Sequence, residues 1–397
     1  MITKPNTKKG SIFLLLYIAY TAIYIARLNL SMASPAMREA GVLTAVELGF
    51  IGSAFSVVYS CGRLFNGIIG DRLAPKLLII TGLGLTGAAN LLIGTLPPYI
   101  LILTLWCVNA FGQSMLWSAL LRTMTTLYGK AQADKRVPIL VSSVSVGNIL
   151  GILLGSYLTE QFGIRAAFLV PGGLTVLAGL AVLYIVPAAP QEASQQRQTF
   201  PFATLFRDRQ IRGILLPAMF HGTMKDNISL WMAVYFLDRF AVDLESSAWY
   251  VLLIPVVGLV GRLIYPACYR LSKGRENRIS ILCFIGCALL AGMLCLPFST
   301  PLLTAVCLSL IYALVSMINT GFLSMFPLRF SEKGLVSSVS GIADFATYLG
   351  AGISSAVYGF FIEGGSGYHI MFISWAVLSI LSVFMLLRQN TTNKENV

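Results

Sequence analysis

Apolar runs of about 20 residues, the length a helix needs to cross a hydrocarbon core roughly 30 Å thick, recur along the whole chain. A backbone in lipid must satisfy its own hydrogen bonds, and continuous runs of this length do so as helix. Twelve spans are expected, at 12–32, 48–70, 77–96, 100–127, 138–160, 166–187, 211–238, 247–269, 279–297, 301–326, 335–362 and 369–388. Hydrophobic residues make up 56% of the 397 and charged residues 11%, and the mean hydropathy is +0.79. Soluble domains lie far from this balance. The chain therefore reads as an all-α polytopic membrane protein.

The basic "MITKPNTKKG" ahead of span 1 resembles the start of a signal peptide. However, the span outruns that length and carries Arg27 without a small-residue cleavage site, so it reads as a retained helix. Of the 28 Lys and Arg, 20 fall in the N-terminal tail, the loops after even-numbered spans and the C-terminal tail. The opposite loops hold three (Arg38, Arg165, Arg239). This asymmetry places both termini in the cytoplasm, with the chain in the cell's inner membrane. Topology thus accounts for the net charge of +12, and no nucleic-acid motif accompanies it. The seven cysteines lie in apolar segments without CxxC spacing and there are two histidines, so neither a metal site nor a disulfide framework is expected. Cys283 and Cys287, four apart, read as small packing residues. No nucleophile–base pairing or phosphate-cradling glycine loop is present, because "GLGLTG" at 82–87 lies inside a span with no following Lys. Neither an enzyme nor a cofactor is expected.

The longest polar interruption, 187–212, separates spans 6 and 7. It divides the chain into an N-terminal six-helix bundle at 1–187, a cytoplasmic linker at 188–210 and a C-terminal six-helix bundle at 211–397. "GRL" at 62–64 recurs at 261–263, offset by 199, and "LVSSVS" at 140–145 recurs at 335–340, offset by 195. Nearly equal offsets at equivalent places argue for duplication, the build of transporters with a site where two pseudo-symmetric halves meet. Arg27 plus 198 is Lys225, so the cation in span 7 has a symmetry mate in span 1.

Arg27, Arg63, Arg122, Lys225 and Arg262, with Asp226 and Asp344, lie inside spans. A charge there costs about 2.5–3.5 kcal/mol on insertion scales. One reading is neutralisation, Lys225 with Asp344 and Arg27 with Asp226, serving folding alone. The other is an anion site at the interface of the halves, with Arg27 and Lys225 as its paired cations. Spacing favours the second. Tyr20, Tyr24 and Arg27 share one face of span 1, as do Tyr59 and Arg63 on span 2 and Gln113 and Trp117 on span 4. His221, one turn before Lys225, is a further candidate to line the cavity, and Arg262 mirrors Arg63 as a cytoplasmic gate residue.

"GIIGDRLAPK" is similar to the loop 2–3 signature of the major facilitator superfamily, with Asp71, Arg72 and Lys76 at its charged, gating positions and Ala74 and Pro75 departing from it. Within the superfamily the chain resembles the organophosphate:phosphate antiporters, through "YTAIYIARLN", "YSCGRLFNGIIGDR", "GQSMLWSALLRTM", "KDNISLW", "LIY" and "YLGAG". The resemblance implies that Arg27 and Lys225 bind phosphate. It adds Tyr312 and Tyr348 to Tyr20, Tyr24, Tyr59, Arg63 and Trp117 as site residues, and matches Gln113 and Arg122 to the span 4 pattern. Three departures stand out. The family's second cation is an arginine, where Lys225 offers a point charge in place of a fork. Its span 5 histidine aligns with Gly147, beside Asn148. Asp226 and Asp344 stand where uncharged residues are expected.

The expected function is secondary transport of a small organic anion, an organophosphate or phosphonate-like solute with a zwitterion among the options, by rocker-switch alternating access in a monomer. Phosphate antiport or proton symport would drive it, with Asp344, Asp226 or His221 meeting the proton or a substrate amine. The alternatives are carboxylate/proton symport, proton-coupled efflux of lipophilic or cationic compounds, and a receptor that senses sugar phosphate without transporting it.

Overall fold

The computed structural model describes residues 5–69, 73–128, 130–187, 207–296, 300–330, 336–365 and 367–394. The chain runs as α1 (Pro5–Glu39), α2 (Ala45–Ile69), α3 (Pro75–Ile93), α4 (Tyr99–Ser114), α5 (Leu116–Tyr128), α6 (Lys130–Phe162) and α7 (Ile164–Ile185). It continues as α8 (Arg209–Phe240), α9 (Leu244–Leu271), α10 (Glu276–Leu294), α11 (Pro301–Thr320), α12 (Val336–Glu363) and α13 (Gly367–Lys394). Among the described residues there is no strand. Among the described residues, eleven helical passes are long and apolar enough to cross a membrane, α4 and α5 together forming one of them. The twelfth, α8, has 32 residues, about 48 Å of helix. It falls short on apolarity because His221, Lys225, Asp226, Asn227 and Ser229 interrupt it.

Each expected span lies on a helix, and the structure adds two local breaks. A turn at Met115 divides the fourth pass, and α11 leads into a π-helical segment, Gly321–Met325. Asp71, Arg72 and linker residues 188–206 lie outside the described residues.

The helices group into two compact units, Met1–Leu43 with Cys61–Arg197, and Thr44–Ser60 with Gln198–Val397. In the first, α1 packs on α6 and α3 on α7 and α4. Glycines set the α1–α6 approach. Gly147, Gly151 and Gly155, four apart on α6, face Thr21 and Tyr24, then Ile25 and Leu28, then Asn29 and Met32 of α1. Such a small-residue stripe lets membrane helices approach to backbone contact, where dispersion and close packing replace the missing hydrophobic drive. Leu16, Leu78, Ile79, Leu116, Leu120 and Val182 fill the space between α1, α3, α5 and α7.

In the second unit α8 packs on α12, α9 on α11, and α10 on α13. Gly222 of α8 and Gly350 of α12 lie where an added Cβ would overlap the opposite backbone, at Thr347 and Met219. The offset of 199 reappears as geometry. Gly62 abuts Ser114 in the first unit, and their counterparts Gly261 and Ala313 abut in the second. The first half of α2 joins the second unit because Gly49 and Gly52 pack on Ser355 of α12.

Candidate functional site

Arg27 sits at the end of an aromatic face in the first unit. The Tyr20 ring stacks on Trp117 at 5.6 Å and meets Tyr24 edge-on at 5.4 Å. The Arg27 guanidinium lies 6.0 Å from the Tyr24 ring centroid, within reach of its π face. Behind it, the Ala26 carbonyl accepts from the side-chain amides of Asn90 and Asn109, each at 3.4 Å. Asn29 donates to Asn90 Oδ1 at 2.7 Å and to the Ala167 carbonyl at 3.0 Å. Gln113 donates to Asn109 Oδ1 at 2.9 Å. Four buried amides from α1, α3 and α4 thus hold the turn that carries Arg27, and Gln113 Oε1 remains buried with no hydrogen-bond partner among the described residues.

Gly147 explains one departure from the resembled family. A Cβ there would stand 2.5 Å from Tyr24 Cβ and 2.8 Å from the Thr21 carbonyl, so a histidine has no room unless α1 moves. Its neighbour Asn148 is half-buried, as is Arg63 on α2. Arg122 donates to the Leu73 carbonyl at 3.2 Å, tying α5 to the turn before α3, whose first turn carries Lys76.

The second unit holds Lys225. Its Nζ lies 3.6 Å from Asp226 Oδ1 and 4.7 Å from the centroid of the Tyr348 ring. Tyr348 in turn meets Tyr59 at 4.9 Å, and Tyr59 stacks on Phe55 at 5.8 Å. Tyr59 thus lies with the second unit, although Arg63, four residues on, groups with the first. Asp226 Oδ2 is buried with no hydrogen-bond partner among the described residues. Next to the pair, Asn227 locks α8 to α12: its amide donates to Ser354 Oγ at 2.7 Å, and its oxygen accepts from Ser355 and from Trp231 Nε1, both at 3.1 Å.

His221 is fully buried, and neither ring nitrogen has a hydrogen-bond partner among the described residues. Asp344 is buried on α12, one turn before Tyr348. Tyr312, also buried, packs its ring on Gly258 of α9, and Arg262 is half-buried further along α9.

Sequence reasoning did not find the Asn29–Asn90–Asn109 chain, because only tertiary packing brings residues 61 and 83 positions apart together. It also missed Glu276, 1% exposed at the start of α10, whose Oε1 lies 2.6 Å from Arg329. The GxxxGxxxG pattern from Gly147 was visible in the sequence and would have signalled the α1–α6 contact.

Membrane-length helices in two units, each holding a cation among aromatic and amide groups, have the build of a multi-pass membrane transporter. The Major Facilitator Superfamily profile matches residues 16–355, and the chain belongs to that superfamily. Within it, the chain resembles the organophosphate:phosphate antiporter family. It is 22% identical to the glycerol-3-phosphate transporter of Bacillus subtilis (strain 168), covering 96% of this chain and 92% of that one. It is 22% identical to the membrane sensor protein UhpC of Salmonella typhimurium, covering 86% of this chain and 83% of that one. A solved structure of a variant of the nucleoside transporter NupG superposes with a TM-score of 0.79 at 13% identity, covering 95% of this chain and 99% of that one, and shares the fold.

Proposed function

We propose that the protein is a secondary active transporter of a small organophosphate or phosphonate-like anion, working by alternating access as a monomer in the cytoplasmic membrane with both termini inside. Residues 1–187 and 211–397 are its six-helix bundles and 188–210 their cytoplasmic connection. Arg27 and Lys225 are the cations that meet the phosphoryl group. Tyr20, Tyr24, Tyr59, Arg63, Gln113, Trp117, Asn148, Tyr312 and Tyr348 belong to the site, and Asp71, Arg72, Lys76, Arg122 and Arg262 to the gate. Phosphate antiport or proton symport supplies the driving force.

One observation carries this reading: Lys225 is retained near the middle of a membrane-spanning helix, where a charge is costly, and its ammonium is held by a carboxylate and a tyrosine face. An anion that binds it more tightly in one conformation than another shifts the conformational equilibrium, as transport requires. The resemblance to a glycerol-3-phosphate transporter supports the phosphoryl class. The test is uptake of inorganic phosphate and glycerol 3-phosphate into proteoliposomes by wild type, Lys225→Ala and Lys225→Arg. The alanine variant is expected to lose uptake by about 100-fold or more, as expected when one member of a close charge pair is removed, while the arginine variant retains it. Normal uptake by the alanine variant removes Lys225 from the site.

The resemblance to a membrane sensor favours a second reading, a receptor that binds a sugar phosphate without moving it. Counterflow separates the two, since a receptor binds without flux.

A further inference from the structure

Lys225 and Asp226 are adjacent in sequence, and on a helix adjacent residues diverge rather than face each other. Their ion pair therefore exists only because the long lysine stem turns back along the helix to within 3.6 Å of Oδ1. The pair sits about 23 Å from either end of α8, at the middle of the helix. Here the ammonium has two favourable neighbours, the Asp226 carboxylate and the Tyr348 face. The carboxylate has only one, since Oδ2 is buried without a partner among the described residues. A buried acceptor left empty is costly, and a charged one more so. Both side chains nevertheless keep 15% and 19% of their surface exposed, so a solute can reach them.

This arrangement makes Asp226 an internal competitor for the substrate anion. A phosphate that approaches Lys225 must take the place of Asp226 Oδ1, and a plain dianion would leave behind a buried carboxylate with no counter-charge and two like charges close together. A solute carrying an ammonium group beside its phosphate avoids both costs, because its N–H donors fill the carboxylate while its phosphate takes the lysine. The Tyr348 ring, which already holds the Lys225 ammonium at 4.7 Å, shows that an aromatic face accepts a cation beside the carboxylate. Resting on the organophosphate reading above, we infer that Lys225 and Asp226 form an exchangeable ion pair that selects zwitterionic substrates, phosphate monoesters bearing an ammonium group, over simple alkyl phosphates.

The test is calorimetric titration of the full chain in detergent with phosphoethanolamine, ethyl phosphate and inorganic phosphate, for wild type and Asp226→Asn. The two monoesters differ by the ammonium group. Wild type is expected to bind phosphoethanolamine about tenfold more tightly than ethyl phosphate, the scale of coupling between close charges. In Asp226→Asn, which is isosteric, that advantage disappears and ethyl phosphate binds more tightly than it does to wild type. The wild-type ratio requires no variant, so a poorly folding mutant leaves the inference open to refutation. Equal wild-type affinities for the two monoesters, or an ammonium advantage that survives in Asp226→Asn, overturns the inference while leaving the organophosphate reading intact. If none of the three ligands binds either protein, the organophosphate reading fails and this inference falls with it.

Discussion

The glycine stripe on α6 supports a graded prediction. An alanine Cβ at position 147 would lie 2.5 Å from Tyr24 Cβ and 2.8 Å from the Thr21 carbonyl, whereas ordinary carbon contacts fall near 3.5–4.0 Å. Relieving the overlap requires α1 and α6 to separate by about 1 Å, since the atoms met are backbone and Cβ and cannot swing aside. Overpacking costs about 1–3 kcal/mol, and this site belongs at the upper end. At Gly151 the nearest atoms, Ile25 Cα and Leu28 Cβ, are at 3.2 Å, which puts Gly151→Ala near the lower end, about 1 kcal/mol. At Gly173 of α7 nothing lies within 4 Å, so Gly173→Ala keeps or slightly raises stability through alanine's better helix propensity. Thermal unfolding of the full chain in detergent should order the variants Gly147→Ala, Gly151→Ala, Gly173→Ala from least to most stable. Gly147→Ala should fall about 4 °C below wild type. Because α1 carries Tyr24 and Arg27, Gly147→Ala should also weaken phosphate binding. Three identical melting curves, or Gly173→Ala as the worst variant, would refute the close-packing argument.

Two further outcomes follow from buried polar groups. Asn90→Ala removes the acceptor for Asn29 and one donor to the Ala26 carbonyl; it should cost about 1–3 kcal/mol in a chemical-denaturation or thermal series and lower phosphate affinity by loosening the turn at Arg27. Arg329→Ala strands Glu276 as a buried carboxylate, and should destabilise by about 2 kcal/mol, below the usual cost of breaking a buried pair because Arg329 is 37% exposed. Adding Glu276→Gln to Arg329→Ala should recover most of that loss, and a double variant no more stable than Arg329→Ala would show that the ion pair is not its origin.

Much of the architecture was legible in the sequence. Helical passes announced themselves because lipid removes the option of leaving backbone groups to water, so apolar length translates directly into helix. Pass seven was readable only through its neighbours and its length, since Lys225 and Asp226 lower its apolarity. The faces bearing Tyr20, Tyr24 and Arg27 could be read because helical periodicity is local. Pairing between helices could not. The sequence left open whether Lys225 answered Asp344, and the structure pairs it with Asp226, a contact that ideal helix geometry would not suggest and only side-chain length permits.

The sequence by itself determined that this chain crosses a membrane many times, that short motifs recur at offsets near 199, and that costly cations lie inside its spans. These follow from composition, spacing and internal repetition, which are properties of the chain in one dimension. Only the tertiary structure decided why Gly147 cannot be a histidine, which amides hold the turn at Arg27, and that Asp226 keeps one oxygen without a hydrogen-bond partner among the described residues beside Lys225. Those depend on how closely two helices approach, and that distance is set jointly by small residues far apart in the sequence.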